Sequence, residues 1–244
     1  MLWYKAWLET RWRFLLCLGG LVFFCGFFVL DRGTGDGFSR LPAFAFGLRE
    51  ERRLLFFAQQ WQVGLTTIAA ILLGMAGLLR ERAIGVTLFT LALPVSRTQL
   101  VLSRVAVGFA EVLALTLSPW VAMLALLSIY MRQPIPLVHV CLLVLPVLSG
   151  GLLLFGMSIL VSSLIEGEYT APVVAFGILI LNLYGTIVDR LRALSLVRFM
   201  RLQEYVDRQT WVVSNFPWAS VAICLIGTVV LIAISTSTIQ KRDF

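Results

Sequence analysis

Apolar residues run along this chain in long unbroken stretches, and charged residues gather in the short segments between them. The stretch Val221-Ala-Ile-Cys-Leu-Ile-Gly-Thr-Val-Val-Leu-Ile-Ala-Ile234 carries no charge. A helix needs about 20 such residues to cross ~30 Å of hydrocarbon at ~1.5 Å per residue. The pattern predicts six spans, at about 14–30, 61–79, 103–130, 136–165, 170–188 and 216–237. The first ends at Leu30, where the glycines and aspartates of 31–37 favour turns. Arg80-Glu-Arg82 stops the second, Tyr130-Met-Arg132 the third and Asp189-Arg190 the fifth. The strands of a membrane barrel would alternate apolar and polar residues in short segments. These runs do not alternate, so the predicted fold is all-α, a polytopic bundle forming one membrane domain over 1–244.

The segments between spans have their own patterns. Residues 1–13 place Trp3, Trp7 and Leu8 on one helical face and Lys5, Glu9 and Arg13 on another, which predicts an amphipathic helix lying in the interface. A loop follows the first span to about Gln60, and its mixed-sign run Arg49 to Arg53 predicts a short surface helix. Residues 80–104 are apolar, basic at both ends and broken by Pro94. Residues 189–215 mix Arg192, Arg198, Arg201, Glu204, Asp207 and Arg208 with apolar residues at near-helical spacing, which predicts a second amphipathic helix at the opposite surface. Pro119, Pro146 and Pro172 are candidate kinks. The small residues of 149–156 and Gly74-Met-Ala-Gly77 suit close helix approach in lipid.

Composition agrees with a membrane protein. Hydrophobic residues make up 59% and charged residues 14%, with a mean hydropathy of +0.92, against about 25% charged in soluble domains. The net charge of +7 fits basic flanks meeting anionic lipid, and no nucleic-acid partner is expected. Cys17, Cys25, Cys141 and Cys224 all fall in apolar runs and form no CxxC pair, so they read as small hydrophobes. No small-residue cleavage site follows a short apolar core, so the N-terminus is expected to stay on the protein.

An even number of spans puts both termini on one side. Cytoplasmic termini would place nine basic residues inside: Lys5, Arg11, Arg13, Arg80, Arg82, Arg97, Arg104, Lys241 and Arg242. Eleven remain outside of the 20 in the chain, many of them in the two longer loops. Because the positive-inside rule weighs charges near span ends and in short loops, cytoplasmic termini in a plasma (inner) membrane are expected.

Catalytic patterns are missing. His139 is the only histidine and belongs to no HExxH pair. No aspartate pair lies mid-span, and no GxxxxGK[ST] phosphate loop occurs. The chain is expected to be no enzyme and to bind no metal or cofactor itself. Glu111 is the one carboxylate well inside a span, about two turns from Arg104. It is either an inward residue paired with a basic group near the surface or a substrate or proton contact. Thr66, Thr67, Ser118 and Asn182 are neutral polar residues within spans, suited to lining an inner path or to bonding between helices.

Read as Glu81…Gly85-x-Thr87-Leu88…Leu91-Ala92…Pro94-Val95-Ser96-Arg97…Leu102, the segment 80–104 resembles the cytoplasmic loop of the ABC-2-type permease family. Val86 between Gly85 and Thr87 departs slightly from that family's pattern. The tail Lys241-Arg242-Asp243-Phe244 resembles its common ending, and the six-span layout with an N-terminal interfacial helix agrees. The resemblance implies the membrane subunit of an ABC exporter. It would pair with a second permease copy or paralogue in the lipid bilayer and dock on a separate ATP-binding cassette ATPase, which holds ATP and magnesium. Glu81, Arg82, Gly85, Thr87, Leu88, Pro94, Ser96 and Arg97 would form the coupling element, with Glu166 and Glu168 as a lesser contact. Thr66, Thr67, Glu111, Ser118 and Asn182 are the candidate path residues for an amphipathic or lipid-like substrate. The alternative is a scaffold or sensory subunit that recruits soluble partners without transport.

Overall fold

No proline interrupts residues 2–33, and a change from charged to apolar side chains does not by itself stop a helix. The structure is a computed structural model that describes residues 2–33, 48–75, 97–131, 137–165, 170–184, 195–207, 210 and 212–241. Its helices are α1 (Leu2–Gly33), α2 (Leu48–Gly74), α3 (Arg97–Met131), α4 (Leu137–Leu164), α5 (Thr170–Tyr184), α6 (Leu196–Arg201) and α7 (Trp218–Lys241). Among the described residues the only extended pairing is an isolated antiparallel bridge between Val206 and Val213.

Three boundaries and one candidate kink differ from the sequence reading. The separate surface helix over 1–13 and the span over 14–30 form one unbroken helix, α1, of 32 residues. The charged run Arg49 to Arg53 belongs to the first turns of α2 instead of a separate surface helix. Pro172 falls in the first turn of α5, where its missing N–H leaves no bond unmade, whereas Pro119 and Pro146 lie inside helices. In the described part of 189–215, the amphipathic pattern forms only the 6-residue α6.

Contacts fix the direction of each helix. Phe24 lies against Trp61 in a tilted pair with centroids 5.4 Å apart, while Arg13 Nη1 donates to the Leu72 carbonyl at 3.4 Å, so α1 and α2 are antiparallel. Gln59 bonds the Leu143 carbonyl and Ser158 bonds that of Ile71, so α2 and α4 run parallel. Gly108 meets Phe155 while Gly151 meets Val112, so α3 opposes α4. Gly227 meets Leu153 while Gly156 meets Leu231, so α7 follows α4. The start of α3 is held against Glu9 of α1 through Arg104 and against Ile159 and Ile232 through Val101 and Val105. Leu2 and Lys241 therefore lie at the same end of the bundle, called here the terminal end. Residues 195–207 and 212–217 close the other, or connector, end.

The central cluster joins α1, α2, α3, α4 and α6 around Leu21, Val63, Leu115, Val147, Phe155 and Met200. A second cluster at the connector end gathers Leu55, Trp120, Met123, Leu143 and Leu202. Outside, Leu16, Phe23, Val121, Leu181, Ile226 and Val229 are exposed, while Gln59, Gln62, Thr66, Glu111, Thr116 and Ser149 are buried. Large apolar side chains face outward while several polar ones are buried beside the apolar core, which suits a lipid surround. Among the described residues, three helical stretches are long and apolar enough to cross a membrane: Val101–Ala125, Leu137–Leu164 and Trp218–Thr238. The small residues predicted to permit close approach do so. A Cβ on Gly74 would lie 2.6 Å from that of Ser158, and one on Gly151 would lie 3.4 Å from Thr66 Cγ2. Gly77 lies outside the described residues.

Candidate functional site

The inner face of α2 carries Gln59, Gln62 and Thr66 at spacings of three and four, so one stripe of the helix points polar groups at its neighbours. Gln62 Nε2 donates to the Thr116 carbonyl of α3 at 2.8 Å. Gln59 Nε2 donates to the Leu143 carbonyl at 3.3 Å and to the Met200 carbonyl at 2.9 Å. Gln60 Nε2 donates to the Arg201 carbonyl at 2.9 Å. Met200 and Arg201 end α6, whose last carbonyls have no partner within the helix. Two amides from α2 supply them.

The other end of α6 is held as firmly. The Ser195 hydroxyl accepts from the Arg198 amide at 3.4 Å as the N-cap and donates to the Asn182 carbonyl at 3.2 Å. The Asn182 side chain accepts from the Val197 amide at 3.1 Å. After Arg201 the chain turns at Leu202, whose φ of 51° is the only positive value on a non-glycine residue among those described. A left-handed leucine is costly, but its fully buried side chain sits in the connector-end cluster, and that packing holds it there. The chain then folds back, with Ser214 donating to Tyr205 and Asp207 to Val212. Met200 fits against Gly150 of α4, where a Cβ would lie 2.5 Å from its Cγ.

The sequence reading missed Gln59 and Gln60 because it started the second span at 61. The signal was available: glutamines three apart on the face that carries Val63 and Thr66. Asn182 is placed as a tie to the connector. Its replacement by leucine is expected to free the Val197 amide, at a cost of about 1 kcal/mol for a lost cap, seen as faster hydrogen exchange at Val197 and Arg198.

The candidate path residues do not converge. Thr66 and Thr67 are each 1% exposed, Thr67 bonding its own helix at Val63 and Thr66 packing toward Gly151. Both point into the bundle instead of an outer face. Ser118 Oγ is buried without a partner. Glu111 is buried on α3 and bonds Thr10 of α1. Arg104 pairs with Glu9 at 2.8 Å, and among the described residues Glu111 forms no ion pair. A cleft between α2, α4 and α5, lined by Ile71, Leu154, Met157, Val161, Ala175 and Ile178, contains none of the path residues.

The coupling residues Glu81, Arg82, Gly85, Thr87, Leu88, Pro94 and Ser96, with Glu166 and Glu168, lie outside the described residues. Arg97 is the first residue of α3. Among the described residues no three His, Cys, Asp or Glu side chains group as a metal site would require. No protein-family model and no curated protein sequence matches this chain.

Proposed function

We propose that this chain is the permease subunit of an ABC exporter, crossing the membrane six times with cytoplasmic termini and driven by a separate ATPase. The observation that carries the reading is the 80–104 sequence, from Glu81 through Pro94 to Arg97. The chain path supports it: α2 finishes and α3 begins at the same end of the bundle as Leu2 and Lys241. A short rigid element there can fill a groove on a soluble ATPase, and closure of the ATPase then moves the attached helices as a body. Arg97 offers a two-pronged donor to a carboxylate.

A route between two permease copies would meet the outward faces of α2 and α5. The outward stripe of α2 carries Trp61, Gly64 and Ile68, and α5 presents Val173, Ile180 and Leu181. A path lined by these side chains would favour an amphipathic or lipid-like substrate over an ion.

The test is a gentle pull-down from native membranes with partners identified by mass spectrometry. A P-loop ATPase should co-purify and be lost when Glu81 and Arg97 are both replaced by alanine or reversed in charge. If both variants retain the ATPase and transport normally, the coupling assignment is wrong. An ATPase that binds but is never stimulated by any lipid-like compound would favour the scaffold instead.

A further inference from the structure

Glu111 is 3% exposed on the face of α3 that packs against α1. Its Oε1 is hydrogen-bonded to Thr10 Oγ1, and its Oε2 has no partner. Its charged surroundings are already committed. On α1, Lys5 and Glu9 are 4.0 Å apart, and Arg13 bonds the Leu72 carbonyl of α2. On α3 itself, Arg104 pairs with Glu9. From α2 the nearby groups are the neutral Gln62 and Thr66. On α4 the one basic side chain is His139, close to the connector end, and on α7 it is Lys241 at the helix terminus. Among the described residues no ion pair reaches Glu111.

Thr10 Oγ1 also lies 3.3 Å from the Ala6 carbonyl and 3.4 Å from that of Trp7. A hydroxyl has one proton to give and two lone pairs to receive. It can give its proton to Glu111, or it can give it to Ala6 while receiving one from Glu111. In the second arrangement the carboxyl O–H donates to Thr10, the Thr10 O–H donates to Ala6, and each proton has an acceptor. In the first, an anion enclosed by helices has one neutral donor for two oxygens, and an isolated buried carboxylate is far costlier than a neutral acid.

We propose that Glu111 and Thr10 form a buried proton-binding site at the α1–α3 interface, occupied while the two helices are packed. On binding, a proton from solvent hydronium, which leaves as water, joins a carboxylate oxygen of Glu111 as a new O–H bond; this O–H donates to Thr10, and the Thr10 hydroxyl turns from Glu111 to Ala6. One carboxylate and one hydroxyl fall far short of the roughly six to eight oxygens a calcium ion takes, so a proton is the cation this geometry fits. The site ties protonation to the seating of α1 on α3, and this holds whether or not the chain is a permease.

Infrared spectroscopy of the full-length protein in lipid nanodiscs at neutral pH tests it. The wild type should show the carbonyl stretch of a protonated carboxyl, Glu111→Gln should lose it, and Thr10→Val should shift it by removing its hydrogen-bond partner. Loss of ionised-carboxylate intensity in Glu111→Gln, with no protonated band removed, would overturn the proposal. If Glu111→Gln does not fold, Thr10→Val decides: a protonated band that moves supports the site, and one that is absent or unmoved rejects it.

Discussion

Gly108→Val is expected to prevent α3 from seating on α4. Even a bare Cβ at this position would lie 2.3 Å from Phe155 Cζ and 2.6 Å from Cε2. The ring has nowhere to retreat, because Phe155 is 2% exposed within the central cluster. Overpacking costs about 1–3 kcal/mol per well-packed site, occasionally more, and valine adds two methyl groups beyond the Cβ. The gain from removing a helical glycine is at most about 1 kcal/mol, so repulsion wins. Thermal unfolding in detergent should show a lowered midpoint and reduced monodisperse yield. Phe155→Ala alone should also destabilise, by about 3–5 kcal/mol. The double variant should lose less than the sum, because valine refills the space that alanine opens. Simple additivity would mean that the two residues do not touch.

The second large effect is expected from Gln59→Leu. Leucine nearly matches the buried volume but removes both bonds made by the amide. The Leu143 carbonyl lies within α4 and keeps its helical partner, whereas the Met200 carbonyl ends α6 and is left with none. A buried carbonyl without a donor costs about 1–3 kcal/mol, and the second lost bond adds about 1 kcal/mol. The loss should concentrate in the connector. Hydrogen exchange and limited proteolysis through 196–206 should speed up while α3 and α4 stay protected. Gln60→Leu, at a half-buried position with its bond to Arg201, should do much less. Unchanged exchange across 196–206 in Gln59→Leu would show that the amide does not hold the connector.

These two sites mark where the sequence was legible and where it was not. The apolar runs that became α3, α4 and α7 could be read directly, because length and charge alone decide whether a helix suits hydrocarbon. The small residues around Gly150 and Gly151 announced a close approach, although not the partners. The connector misled because its near-helical spacing continues past Leu202, whereas the stop is imposed from α2, 141 residues away at Gln59. No local pattern encodes a helix end that is capped by a distant amide. The unbroken α1 misled for the opposite reason: a change of composition near residue 14 looks like a boundary but contains nothing that breaks a helix. Glu111 was picked out as unusual, but its partner Thr10, 101 residues away, could not be named without the packing.

The final helix has one further consequence. The most apolar 18-residue stretch of α7 is 22% buried, against 61% for α4, and its buried side chains, Val221, Cys224, Thr228 and Ser235, form a single stripe. None of the buried residues of the central cluster belongs to α7. A chain still being translated therefore holds every buried member of that cluster once Met200 has left the ribosome, and α7 is added to a bundle already able to close. A ribosome pausing before residue 218 would leave the growing protein with the residues of the central cluster all made and α7 still to pack against α4.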